Sequence, residues 1–137
     1  MVTPGEFFMN ASTEPITMTP EEYDLVVIGS GEGSKFLAWT LARQGQRVAI
    51  IERKWIGGSC PNIACLPSKN IIHSAKVASY FSRAAEFGMN TSGYTVDMAA
   101  VTNRKRTMVK QLVDIHVKNY DASGTELILG EAHFIAP

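Results

Sequence analysis

Cys60 and Cys65 are the only cysteines in this chain, and they stand in the segment Gly57-Gly58-Ser59-Cys60-Pro61-Asn62-Ile63-Ala64-Cys65-Leu66-Pro67-Ser68-Lys69. Two thiols at this spacing can cycle between dithiol and disulfide, or they can contribute to a metal site. Zinc takes about four ligands, and the two cysteines with His73 offer three. Two unrelated buried thiols would leave the surrounding glycines and Pro-Ser-Lys without a reason. In a regular helix, residues five apart are separated by roughly 7.5 Å along the axis, whereas a disulfide holds its Cα atoms within about 7 Å. A bridge between Cys60 and Cys65 therefore needs a distorted helix. Pro61 and Pro67 flank the stretch, and Pro67 has no N–H to bond back to the carbonyl of Ile63. A strained, reducible pair of this kind suits catalysis better than structural cross-linking.

The elements ahead of the cysteines would set them beside a nucleotide. Tyr23-Asp24-Leu25-Val26-Val27-Ile28 is rich in β-branched residues and is expected as a strand buried on both faces. Gly29-Ser30-Gly31-Glu32-Gly33-Ser34 then turns the chain into a helix expected to run to about Gln44. Its residues Phe36, Leu37, Trp39 and Leu41 can face a sheet, and Gly45 marks its end. Arg47-Val48-Ala49-Ile50-Ile51-Glu52 is a second buried strand, giving a βαβ unit with parallel strands. At such a turn the helix dipole and outward N–H groups hold a dinucleotide's pyrophosphate, and glycines let the phosphates approach the backbone. Gly29, Gly31 and the helix start at Glu32-Gly33-Ser34 meet these needs, with Ser34 in place of the fingerprint's third glycine. Glu52, 23 positions after Gly29, stands where its carboxylate can accept from an adenosine ribose. A glycine turn serving packing alone is the competing reading.

The cysteine segment resembles that of the class I pyridine nucleotide–disulfide oxidoreductases, whose common form is Gly-Gly-(Thr/Ser)-Cys-x-Asn-x-Gly-Cys-(Ile/Val)-Pro-(Ser/Lys)-Lys. The resemblance implies an α/β fold, a Rossmann-like FAD/NAD(P)-binding domain with a parallel sheet, incomplete relative to the family. The implied cofactors are FAD and, in the complete enzyme, NAD(P)H. In that enzyme NAD(P)H would reduce FAD, FAD would reduce the Cys60–Cys65 disulfide, and Cys60 would reduce a disulfide or mercuric-ion substrate. Cys65 would lie against the flavin, with Lys69 beside its redox nitrogen, where a cation and a helix start favour thiolate over thiol. Gly58 and Ser59 would join the cofactor site, and Gly130-Glu131-Ala132 resembles the segment whose backbone meets the adenine. Ala64 stands where the pattern has glycine, and Pro61 where it has an aliphatic residue.

Pro67-Ser68-Lys69 leans toward the mercuric reductase and dihydrolipoamide dehydrogenase branches, and the choice between them stays open. So does a third reading, a non-catalytic FAD-binding or structural remnant. The complete enzyme that the resemblance implies is a homodimer with a second glycine fingerprint, a C-terminal domain carrying a His–Glu pair, and a later strand completing the flavin sheet. These 137 residues contain none of the three, so the chain alone is expected to be inactive with NAD(P)H, and its first strand to expose an edge.

Composition sets broader bounds. With 45% apolar and 19% charged residues the chain fits one globular domain. Thirteen basic and thirteen acidic residues cancel, which points to neither nucleic acid nor membrane as a partner. The first basic residue is Lys35, so no signal peptide is read. No apolar run nears the roughly 18 residues of a membrane span. A cytoplasmic location is the expectation, and there a close cysteine pair is more often catalytic or metal-binding than a staple. Residues 1–21, with Pro4, Pro15 and Pro20, read as a mobile leader, and residues 22–137 as the partial FAD-binding domain. Further helices are expected from Asn70 to about Phe87 and from an Asp97 cap to about Tyr120. A turn at Asp121–Gly124 and strands at Glu126–Leu129 and Ala132–Ile135 complete the reading. His73, His116 and His133 read as ordinary residues, and Trp39 and Trp55 as packing.

Overall fold

The structure, a computed structural model, describes residues 20–136, so most of the expected leader lies outside the described residues. Three strands, β1 (Leu25–Ile28), β2 (Val48–Glu52) and β3 (Glu126–Leu129), form one parallel sheet in the order β1-β2-β3. Leu25 is in register with Val48, and Glu52 with Leu129. Helix α1 (Lys35–Arg43) makes the crossover from β1 to β2 and ends where Gly45 takes a positive φ. Two helices follow β2 in close succession, α2 (Ser59–Asn62) and α3 (Cys65–Ser82), and the long α4 (Met98–Ser123) leads into β3. This is the expected α/β architecture.

The core sits on one face of the sheet. Ala38 and Trp39 of α1, Val48 and Ile50 of β2, and Tyr120 of α4 form it, with Leu25, Val27 and Leu127 packed alongside. The Trp39 and Tyr120 rings meet edge-on with centroids 5.3 Å apart, the arrangement their quadrupoles favour. The alternate residues of β1 point the other way, and Val26 and Ile28 are 49% and 53% exposed. The expectation that β1 is buried on both faces is therefore corrected. Its side chains follow the period of two, because α1 and α4 both pack against the Leu25–Val27 side. As expected, β1 forms an edge of the sheet. The buried side of α1 is also narrower than its sequence suggested, since Phe36 and Leu37 are exposed while Ala38 and Trp39 are covered.

Element boundaries move in two places. The helix expected from Asn70 begins at Cys65 and ends at Ser82, followed by a 3-10 turn, Ala84–Phe87, which the left-handed Gly88 closes. Pro67 falls in the first turn of α3, where a missing N–H breaks no helical bond. Asp97 caps α4 as expected, accepting from the Ala100 N–H at 3.0 Å. That helix runs on through the expected turn to Ser123, and the left-handed Gly124 stops it. Ala132–Ile135 is not a strand. Phe134 and Ile135 are almost fully exposed, so these residues pack against no neighbouring element.

Candidate functional site

The C-terminal ends of β1 and β2 carry the two turns on which the site is built. Ser30, fully buried in the first turn, is the hub. Its N–H and hydroxyl both donate to Glu52 Oε2, at 2.9 and 2.6 Å. The same hydroxyl accepts from the Gly57 N–H at 2.9 Å, and the Ser30 carbonyl accepts from the Tyr120 hydroxyl at 3.4 Å. One serine thus ties the glycine turn to β2, to the cysteine-bearing loop and to α4. Glu52 is only 8% exposed, and its Oε1 accepts from the N–H groups of Lys54 and Trp55 at 2.8 and 3.0 Å. Burial pushes this carboxyl up, but the Ser30 hydroxyl and the three backbone donors outweigh it and hold it at about 2. A carboxylate offers about four acceptor positions, and here four donors within the chain already use them.

The glycine turn and the cysteine loop touch directly. Gly58 has φ +78°, and a Cβ there would lie 2.7 Å from the Cα of Gly31. A Cβ on Gly57, at φ +88°, would meet Pro61 at 3.0 Å and His116 at 3.1 Å. Both positions therefore need glycine, for backbone conformation and for room. Above Gly29, Gly31 and Gly33 a Cβ would meet nothing within 4 Å, so the turn presents open backbone on that side. Ser34, the departure from the fingerprint, has a local use: its hydroxyl donates to the Gly29 carbonyl at 3.0 Å and binds the turn to the helix start.

The distortion expected between the cysteines is present. Ser59 opens α2, and its carbonyl accepts from both Ile63 and Ala64 N–H groups at 2.9 Å, widening the turn before α3 restarts at Cys65. Asn62 Nδ2 donates to the carbonyls of Ile56 and Gly58 at 2.9 and 2.7 Å, which fixes the loop around Cys60. Both thiols are free, Cys60 part-buried and Cys65 exposed. Among the described residues only glycines have a positive φ, and Ala64, at φ −111°, takes no left-handed conformation in place of the pattern's glycine.

The surroundings of Cys60 favour its thiol over its thiolate. A hydrogen bond with Cys65, then burial, the charge of Cys65 and the Glu32 carboxylate push the thiol up, and exposed Lys69 only partly opposes them. Gly130 closes the far side of the site by donating to the Glu52 carbonyl at 2.9 Å, which sets Glu131 and Ala132 beside the end of β2.

One contact was invisible in the sequence. Lys35, the first residue of α1, is 2% exposed, and its Nζ lies 2.5 Å from Glu32 Oε1 and 2.5 Å from His116 Nε2. His116 was read as ordinary, yet it is buried under Gly57. The available signal was its spacing from Tyr120 and Ser123, which puts all three on one side of α4.

Among the described residues no group of three or more His, Cys, Asp or Glu is placed to hold a metal ion, and no helix is long and apolar enough to cross a membrane. The family model for pyridine nucleotide-disulphide oxidoreductases matches residues 23–135. The chain belongs to that family. Its relatives in this oxidoreductase family include the dihydrolipoyl dehydrogenase of Chlamydia pneumoniae, 42% identical over 90 residues covering 66% of this chain and 20% of the relative. The mercuric reductase of Staphylococcus aureus is 34% identical over 135 residues, 96% of this chain and 24% of the relative. Among solved structures, the Cu(II) complex of the HOCl-induced flavoprotein disulfide reductase RclA from Escherichia coli matches with a TM-score of 0.68 at 33% identity, covering 85% of this chain and 23% of that one. The chain thus spans about a fifth to a quarter of the length of these relatives. Membership in the pyridine nucleotide-disulphide oxidoreductases implies FAD, with NAD(P)H as its reductant. The open backbone over Gly29, Gly31 and Gly33 fits a dinucleotide's phosphates.

Proposed function

We propose that residues 22–137 form the FAD-binding, dithiol-bearing part of a flavin-dependent reductase that acts on a disulfide or a mercuric ion. The observation that carries this reading is the contact of Gly58 with Gly31, which joins the cysteine loop to the open glycine turn. Bound FAD would relay two electrons from NAD(P)H to the Cys60–Cys65 pair. The backbone of the turn from Gly29 through Gly31, Glu32 and Gly33 to Ser34 would hold its pyrophosphate, Gly58, Ser59 and Lys69 would line the flavin side, and Ala132 the adenine side. Ser30 and Glu52 hold the turn in shape. A ribose hydroxyl reaching Glu52 would have to share an oxygen with one of its present donors.

Cys60 is the interchange thiol of this reading and Cys65 the thiol on the flavin side. Cys65 lies close enough to Cys60 to push its thiol up, and attack by one thiolate on the disulfide substrate leaves the other thiol to resolve the mixed disulfide. The mercuric reductase-like assignment is supported by an alignment over 96% of the chain, and the dihydrolipoamide dehydrogenase-like one by higher identity over a shorter stretch. Homodimer formation by the complete enzyme is part of the same proposal. A visible spectrum of the purified chain with FAD, before and after a dithiol reductant, tests it. Retained flavin bands with a long-wavelength shoulder after reduction are expected. Flavin that washes away, or bands that stay unchanged by the thiols, would overturn the reading for this chain. With a single glycine fingerprint, the chain by itself should show no steady NADPH consumption with a disulfide acceptor.

A further inference from the structure

The turn that faces the dinucleotide carries an acid, which is unfavourable beside a pyrophosphate. Glu32 is 46% exposed, and the buried Lys35 ammonium meets its Oε1 at 2.5 Å. The lysine is held from behind. His116 Nδ1 lies 2.6 Å from the Leu112 carbonyl, which can only accept, so Nδ1 carries the ring proton. Nε2 is then free to accept from Lys35 Nζ at 2.5 Å. The same His116 edge packs against Gly57, the glycine two residues after Trp55 that opens the Cys60 loop. A lysine is almost never buried without such pairing.

We propose that Lys35, seated by His116, is a positioning residue that offsets the charge of Glu32, and so sets both the anion affinity of the glycine turn and the reactivity of Cys60 in the loop packed against it. The proposal rests on the FAD reading for its first half only. A negative charge at Glu32 repels the pyrophosphate and disfavours the Cys60 thiolate, and the Lys35 ammonium offsets part of it at both places. The close approach of Gly58 to Gly31 sets the turn that carries Glu32 against the loop that carries Cys60, and the Glu32 carboxylate is among the groups that push that thiol up.

The test is a four-protein cycle of the full chain: wild type, Glu32→Gln, Lys35→Met and the double variant. FAD affinity by flavin fluorescence quenching is expected to fall roughly three- to tenfold in Lys35→Met, to hold or improve in Glu32→Gln, and to return toward wild type in the double variant. The Lys35→Met deficit should shrink in high salt. A merely structural lysine would give the opposite pattern, with the double variant no better than Lys35→Met. The second readout needs no flavin. In a Cys65→Ser background, the pH profile of Cys60 alkylation should move down in Glu32→Gln and up in Lys35→Met, with alkylation at neutral pH changing roughly two- to threefold in each direction. If wild type binds no FAD, the cofactor reading fails for this chain and the alkylation profiles still decide the role of the pair. If either measurable series is flat across the four proteins, the proposal is overturned. Should Lys35→Met fail to fold, Glu32→Gln alone decides, because it removes only a half-exposed carboxylate.

Discussion

At the scale of single residues, the site depends on groups that are satisfied inside the protein before any ligand arrives. The carboxyl of Glu52 is held at about 2 against an ordinary 4.5. A group whose folded value is depressed contributes stability that is present above its unfolded value and is lost as pH falls through the folded one. Wild type should therefore lose on the order of 3 kcal/mol between about pH 4.5 and pH 2 from this residue alone. Glu52→Gln should be less stable at neutral pH by a similar amount and flat across that window, as urea midpoints measured against pH would report. A Gln midpoint with the wild-type pH slope would remove Glu52 as the cause. Gly58→Ala addresses packing instead of charge. Its Cβ would stand 2.7 Å from Gly31 Cα in a left-handed conformation, so we expect a loss of about 1–3 kcal/mol together with weakened FAD retention. Unchanged thermal unfolding and FAD binding in this variant would contradict the contact.

At the scale of elements, burial discriminates between strands that look alike in sequence. Ile50 in β2 is fully buried, whereas Ile28 in β1 is half exposed. Ile50→Ala should cost about 2–5 kcal/mol through lost transfer energy and a cavity, and Ile28→Ala less than about 1 kcal/mol. Equal costs by urea denaturation would mean that both faces of the sheet are covered. Helix α4 offers a second test at its N-terminus. The Asp97 side chain satisfies the Ala100 N–H, so Asp97→Ala should lose about 1 kcal/mol, while Asp97→Asn should retain most of it. The two helices after β2 matter more for chemistry. Their separation at Ile63–Ala64, with the wide turn on the Ser59 carbonyl, is what brings two thiols five positions apart close enough for one to act on the acidity of the other.

At the scale of the molecule, the strand ends, the glycine turn and the cysteine loop were legible in the sequence, because each depends on local backbone physics. β-branched runs, glycines that must turn and prolines that interrupt a helix declare themselves within a few residues. Glu126–Leu129 was found to the residue for that reason, between the helix stop at Gly124 and Gly130. What the sequence could not supply was the partner across the fold. The exposure of Val26 and Ile28 follows from α1 and α4 packing on the same side of the sheet, which no pattern within β1 records. The Lys35–His116 pair joins residues 81 positions apart, and the balance of charges on Cys60 depends on Glu32, in a different turn. Local conformation is set by sterics and hydrogen bonds between near neighbours and can be read along the chain. Burial, charge neutralisation and thiol acidity depend on which distant groups end up within a few ångströms, and only the tertiary structure brings those together.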